Sequence, residues 1–352
     1  MDEEQPPPLT YAAAGVDLEK RRATVERYRE VAKGAGRPEV LGGVGPFAGL
    51  FALGSKYRDP VIVASTDGVG TKTKLSALTG RYESLGWDIV ANCVNDALTT
   101  GAEPIFFLDY IASADLPPDG KVALVKGVAA ACAEIGCALL GGETADMPGV
   151  YVEGEFDLVG FVVGAVEREA IIDGSRIVPG DLLLALPSNG LHTNGYSLAR
   201  PALGVAMDPA NAAAGRDRLA RLEPDLGETL ADALLRPHRC YVNDLKPGLP
   251  LIKGMAHITG GGIPENLPRM LLAGLGGRLQ RDAWPVPPIF PLIQRSGAIE
   301  EAEMYRVFNM GLGMVFAVAP ADADTLRALV PEALTIGEVI AVSEADPRVT
   351  WR

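Results

Sequence analysis

At 352 residues the chain is long for one hydrophobic core and predicts two domains. Its 48% hydrophobic and 22% charged residues are those of an ordinary folded protein, and no apolar run approaches the roughly 20 residues a bilayer demands, so a membrane role is excluded. A net charge of −13 argues against nucleic acid, whose phosphate backbone calls for a lysine and arginine excess.

Met1 to Pro8 is acidic and proline-rich and lacks the parts of a signal peptide, so residues 1–9 read as a disordered tail on a cytoplasmic protein. Residues 16–34 predict a helix, with Val25, Tyr28 and Val31 at three-residue spacing. A glycine-rich segment follows, containing Gly42, Gly43, Gly45, Phe47 and Gly49. Residues 61–65 predict a buried strand that ends in Asp67-Gly68-Val69-Gly70-Thr71-Lys72. A helix is expected over 84–99, a strand over 105–112, a second long helix over 119–136, and a strand over 138–140 that turns at 141–143. Residues 156–166 are strand again, which completes a first α/β domain (10–173). Ile177 to Asp181 reads as a junction. The second domain (174–345) opens with a strand at 182–186 and carries a loop-rich, alanine-rich excursion near 204–235 and a strand at 313–318.

The 84–99 helix carries the most informative pattern. Asp88, Asn92 and Asp96 recur every fourth residue with Asn95 beside them, so they form one polar stripe. A merely solvated face normally carries lysine and glutamate, whereas short carboxylates and amides suit a metal or a phosphate–metal complex. The Asp67–Lys72 turn can bring backbone amides and Lys72 to a phosphate, or be only a strand-end turn. Asp109, inside an apolar strand, needs either an ion-pair partner or a metal, and Glu143 and Asp146 sit on a glycine-bounded segment. With Asp67 and Asp96 these acids supply hard-oxygen ligands for Mg²⁺. His192 stands in a polar loop with Asn194 and Gly195, a plausible place for a general base, or a surface histidine. His257 precedes Thr259-Gly260-Gly261-Gly262, whose amides suit an anion, and His238 reads as a surface residue. Cys93, Cys132, Cys137 and Cys240 make no CxxC pair and read as reduced core thiols, which argues against disulfides and zinc.

In this order the segments resemble the phosphoribosylformylglycinamidine cyclo-ligase (aminoimidazole ribonucleotide synthetase) family over about residues 10–340. The matching stretches are 11–17, Ser65 to Lys72, Cys93-Val94-Asn95-Asp96, Gly101 to Pro104, Phe106 to Ile111, Gly141 to Gly149, His192 to Leu198, Ile258 to Asn266, Trp284 to Phe290 and Phe308 to Gly311. Asp146, His238 and Pro46 depart from the family's usual glutamate, threonine and glycine.

The resemblance implies an α/β first domain, an α+β second domain, and a homodimer whose first-domain sheets join into a β-barrel with ATP near that groove. It implies ATP-dependent cyclisation of formylglycinamidine ribonucleotide to aminoimidazole ribonucleotide, with release of ADP and phosphate. The expected site has Asp67, Asp96, Asp109 and Glu143 on Mg²⁺, Lys72 on phosphoryl charge and His192 on the reacting amide or its proton. Gly68, Gly70, Thr71, Asn194, Gly195, Thr259 to Gly262 and Asn309 are expected to bind ATP or phosphate, under a closing loop at 42–49. Selenophosphate synthetase and thiamine-monophosphate kinase are the enzymes to separate from it, and a non-catalytic nucleotide-binding regulator is the alternative from another class.

Overall fold

The computed structural model describes residues 10, 17–42, 45, 47–206 and 209–352. The expected tail at 1–9, the motif residues 11–16 and loop residue Gly43 lie outside the described residues.

Asp17 starts α1 (Leu18–Ala32) by accepting from the amides of Glu19 and Lys20 at 3.0 and 3.1 Å, which satisfies two otherwise orphaned donors. A two-residue ladder, β1 (Val40–Leu41) with β2 (Leu50–Phe51), precedes β3 (Pro60–Gly68), which was expected to be buried but alternates half-buried with exposed residues because only one of its faces packs on the helices. The remaining elements of the first body are α2 (Thr73–Thr79), α3 (Glu83–Leu98), β4 (Glu103–Ser113), α4 (Pro118–Ile135), β5 (Ala138–Asp146) and β6 (Phe156–Glu167). The strands form one sheet in the order β3-β6-β4-β5, antiparallel except for the β4–β5 pair, which α4 connects. Ile89, Val90, Cys93, Val94, Ala97 and Leu98 of α3 are all buried, so the periodicity read from the sequence is the packed face. Gly136, at φ +67°, ends α4 as a left-handed cap.

β5 departs from expectation. Rather than turning at Gly141–Gly142–Glu143, the strand runs on to Asp146 beside β4. The glycines explain this: a Cβ on Gly142 would stand 2.4 Å from Asp109 Oδ1 and 2.8 Å from the Asp109 carbonyl, so only glycine lets the two strands approach there.

At the junction, Asp181 is buried, accepts from the Val178 amide and pairs with Lys253 at 2.7 Å. The second body continues with β7 (Leu182–Pro187), α5 (Tyr196–Ala202), α6 (Ala212–Ala220), the hairpin β8 (Leu222–Glu223) and β9 (Glu228–Thr229), α7 (Leu230–Leu234), α8 (Val242–Leu245) and β10 (Ile252–His257). It ends with α9 (Gly262–Asn266), β11 (Leu275–Leu279), α10 (Ile289–Gly297), α11 (Glu301–Val307), β12 (Leu312–Val318), α12 (Ala323–Leu329), β13 (Leu334–Ala341) and β14 (Val349–Trp351). Its sheet order is β10-β12-β7-β13-β11-β14. The excursion near 204–235 is more regular than expected, because Leu219 and Gly215 are buried and turn its alanine run into the helix α6. One apolar cluster spans the α3–α4 layer and one face of the second sheet, and a second cluster lies on that sheet's other face. No described helix is long and apolar enough to cross a membrane.

Candidate active site between the two sheets

The polar stripe on α3 meets both the β3 turn and the second body, and each member has a different partner. Asp88 and Lys72 are both fully enclosed and pair at 2.6 Å. Lys72 Nζ also donates to the carbonyls of Arg236 and His192 at 2.9 and 3.2 Å. Burial pushes the lysine down and the carboxyl up, and their mutual attraction opposes both shifts. Lys72 was expected to reach phosphoryl charge directly. Its three donor directions are instead spent inside the protein, so it positions the His192 and Arg236 segments.

Asn92 donates to Asp67 Oδ2 at 2.7 Å, and the Gly68 amide donates to Asp67 Oδ1 at 2.7 Å. Burial raises the Asp67 carboxyl despite these bonds, and the nearby Asp96 carboxylate adds to the rise. Two such carboxylates side by side, each with oxygen lone pairs left over, have the donor chemistry of a Mg²⁺ site. Asp96 Oδ1 lies 2.9 Å from His257 Nδ1. Asn95 accepts from the Tyr241 amide and donates to the Arg239 carbonyl, both at 2.9 Å.

Asp109 and Glu143 do not join this pair. Asp67 on β3 and Asp109 on β4 both lie opposite Gly160 of the intervening β6, so two strand spacings, about 9.5 Å, part their backbones. Asp109 and Glu143 line a separate cavity of about 830 Å³ with Gly45, Phe47 and Gly49 of the glycine-rich segment, Arg21 and Tyr28. Burial pushes the Asp109 carboxyl up to about 7. Glu143 is held by Arg21 at 3.3 Å, and Asp146 pairs with Lys121. Gly49 is pressed on Leu140, where a Cβ would come within 2.4 Å.

From the second body, Asn194, Gly195 and the Thr259–Gly262 turn meet one another. A Cβ on Gly260 would lie 3.2 Å from Asn194 Oδ1, and Gly195, at φ +82°, leaves room for Phe308. Thr71 Oγ1 approaches Ser197 Oγ at 3.1 Å, which ties the β3 turn to α5. Asn266 Nδ2 gathers the carbonyls of Gly260 and Gly262 at 3.0 and 2.9 Å. Gly68 and Gly70 complete the β3 turn, with Gly70 at φ +66°. A cleft of about 300 Å³ between the bodies is lined by Ser65, Asp96, Thr99, His257, Asn266 and Arg269, among others.

Three further expectations need correction. Asn309 was expected to line the nucleotide site, but its side chain is consumed within the second body: it accepts from Ser188 Oγ and the Gly311 amide and donates to the Gly190 carbonyl, at 2.8–2.9 Å. His238 was expected at the surface, yet it is 1% exposed, because its amide donates to Asp88 Oδ1 at 2.7 Å and its carbonyl accepts from Trp87 Nε1 at 3.0 Å. The His192 ring, expected to meet substrate, is enclosed at 2% exposure and stacked on His238 with centroids 3.9 Å apart. His192 holds φ +60°, a strained state for a non-glycine residue, and its carbonyl is gripped by Lys72 Nζ and Tyr196 Oη. The sequence reading also missed Arg269 and Asn266. Their only signal is position, on the turn of helix after the triple glycine.

Residues 49–166 match the family model described as AIR synthase related protein, N-terminal domain, and residues 178–350 match its C-terminal counterpart. The chain is 50% identical over 345 residues to the phosphoribosylformylglycinamidine cyclo-ligase of Desulfitobacterium hafniense, covering 95% of this chain and 98% of that protein. It is 53% identical over 316 residues to that of Myxococcus xanthus, with 89% of both chains covered. Among solved structures, thiamine-monophosphate kinase from Stenotrophomonas maltophilia superposes with a TM-score of 0.68 at 20% identity, over 94% of this chain and 95% of the other. The hydrogenase maturation protein HypE in complex with ATP superposes with a TM-score of 0.59 at 17% identity, over 91% and 88%. These two likenesses concern the fold. The family models span most of the chain and the relatives are half identical over nearly all of it, so the chain belongs to the phosphoribosylformylglycinamidine cyclo-ligase family.

Proposed function

We propose that the protein closes the imidazole ring of formylglycinamidine ribonucleotide, consuming ATP and releasing ADP and phosphate. What carries the reading is the seam between the bodies, in a chain half identical to cyclo-ligases over nearly its full length. There the Asp67–Asp96 pair, the Thr259–Gly262 turn and Arg269 converge from separate segments.

An amide oxygen is a poor leaving group. Transfer of the ATP γ-phosphoryl to the formamide oxygen turns it into a phosphate, the amidine nitrogen attacks the same carbon, and phosphate departs as the ring closes. Mg²⁺ bound with ATP would neutralise phosphoryl charge, and Asp67 and Asp96 are the residues that would hold it. Among the described residues Arg269 is the one arginine lining the cleft, and only its Nη1 is committed, to Asn266 Oδ1 at 3.1 Å, so it is placed for a phosphate. Lys72 and Asn92 act through other groups: the first fixes the His192 loop and the second orients Asp67. The larger cavity, with the glycine-rich segment at its rim, has the volume of a nucleotide-sized ligand. We place the ATP phosphates at the Asp67–Asp96 seam rather than in that separate cavity, in a cytoplasmic homodimer.

The reading is tested by coupled ADP release. ADP appearing only with formylglycinamidine ribonucleotide, alongside a new aminoimidazole product, is the expected result. ATP turnover without that substrate, or none with it, would sink the reading. An Arg269→Ala variant is expected to raise KM for a phosphorylated ligand by about 10–100-fold, as loss of a charge-assisted hydrogen bond would.

A further inference from the structure

The only three histidines in the chain, His192, His238 and His257, come from the loop after β7, the segment before α8 and the end of β10, and meet in one enclosed cluster. One ring nitrogen from each lies within 4.8 Å of the others. His238 Nε2 and His257 Nε2 are 3.2 Å apart.

The hydrogen positions around that pair follow from their neighbours. A carboxylate can only accept, so His257 Nδ1, 2.9 Å from Asp96 Oδ1, carries the hydrogen and leaves Nε2 a bare lone pair in the neutral ring. The Asn95 oxygen is claimed by the Tyr241 amide, so its nitrogen faces the Arg239 carbonyl and, at 3.3 Å, His238 Nε2. With its hydrogen on Nε2, His238 donates to the His257 Nε2 lone pair 3.2 Å away. A cation between the two Nε2 atoms would replace that hydrogen bond and the long Asn95 contact, with the His238 hydrogen on Nδ1. Among the described residues, both nitrogens of His192 and Nδ1 of His238 are buried without a hydrogen-bond partner.

We propose that His192, His238 and His257 form a site for a divalent transition metal of the Zn²⁺ class, with Asp96 as the outer carboxylate on His257. Tetrahedral bonds of 2.0–2.1 Å set neighbouring nitrogens about 3.3 Å apart, which matches the His238–His257 separation. A carboxylate on the far nitrogen of a metal-bound imidazole is the usual way to fix its tautomer. His192 lies stacked with its plane 17° from that of His238, so it would enter the metal's sphere by turning its ring about Cβ–Cγ. The absence of paired cysteines speaks against a thiolate zinc site but not against an imidazole one. Such a metal would lock the second body, through Asp96 and Asn95, onto α3 of the first.

The test uses the full chain, stripped by a chelator and titrated with Co²⁺ and then Zn²⁺. Expected are one equivalent of Co²⁺ per chain with the intense visible absorption of a tetrahedral centre, displaced by Zn²⁺. In His238→Asn, Zn²⁺ affinity should fall at least ~100-fold, beyond the 10–100-fold cost of losing an outer partner. His192→Ala, which leaves the paired rings in place, is expected to keep Co²⁺ binding but change its spectrum. Weak absorption of six-coordinate Co²⁺, or unchanged affinity in His238→Asn, would overturn the proposal. So would histidine NMR showing a proton on His257 Nε2 that added Zn²⁺ does not remove. Binding is read without turnover, so its failure leaves the ring-closing reading standing.

Discussion

The Lys72–Asp88 pair is the deepest electrostatic commitment at the seam. Removing one partner strands the other's charge in a dry interior. Lys72→Met alone is therefore expected to cost about 3–5 kcal/mol in denaturant unfolding, while Lys72→Met with Asp88→Leu should recover most of it. Equal losses in the single and double variants would show that the pair is not coupled. Asp109 makes a pH prediction. Its carboxyl titrates near 7 in the folded protein against 3.8 in the unfolded chain, so between those values the folded state holds a proton the unfolded state has released. Stability thus falls as pH rises from about 4 to 7. Asp109→Asn should be neutral near pH 4 and stabilising by up to ~4 kcal/mol at pH 8, read as a melting-temperature gap that opens across that window. A gap independent of pH would refute the assignment.

Among elements, the crossing of α3 and α4 depends on two residues with no side chain. A Cβ on Gly86 would stand 1.9 Å from the Leu124 carbonyl oxygen, and one on Gly127 would stand 1.9 Å from that of Glu83. The clash is with backbone on both sides and cannot be relieved by a rotamer. Gly127→Ala should cost about 3 kcal/mol or more despite its better helix propensity, and its unfolding midpoint measures this. Because α3 carries Asn92 and Asp96, any forced separation should also weaken nucleotide binding. In the sequence both glycines look like weak points in otherwise good helices. Only the close contact of the two backbones gives them a purpose.

For the whole molecule, α3 and α4 cover one face of the first sheet, and among the described residues the other face carries exposed apolar side chains. Ile62 is 55% exposed and Phe161 43%, and they lie on adjacent strands of that face. An apolar sheet face of this kind needs a partner, and the homodimer we propose would cover it. Sedimentation should show a dimer, and a Phe161→Glu, Ile62→Glu double variant should shift it to monomer at micromolar concentration. A monomeric parent chain would refute the shared barrel.

The elements could be read from the sequence because their causes are local. The α3 stripe and the strand runs at 61–65, 105–112 and 156–166 depend on side-chain period and backbone sterics, which neighbouring residues carry with them. The acids on α3 and β3 were likewise legible, since apolar helices and strands seldom carry short carboxylates without a use. Partner choice was not legible. Lys72 faces Asp88 rather than a phosphate, Asn309 closes its own loop, Asp109 opens on a different cavity, and three histidines up to 65 positions apart in sequence share one enclosure. Burial and hydrogen bonding decide such matters, and both depend on which distant segments the packed sheets bring together. Sequence alone determined the family and the acids on α3 and β3; tertiary structure decided which residues join them at the seam and which keep a free atom for a ligand.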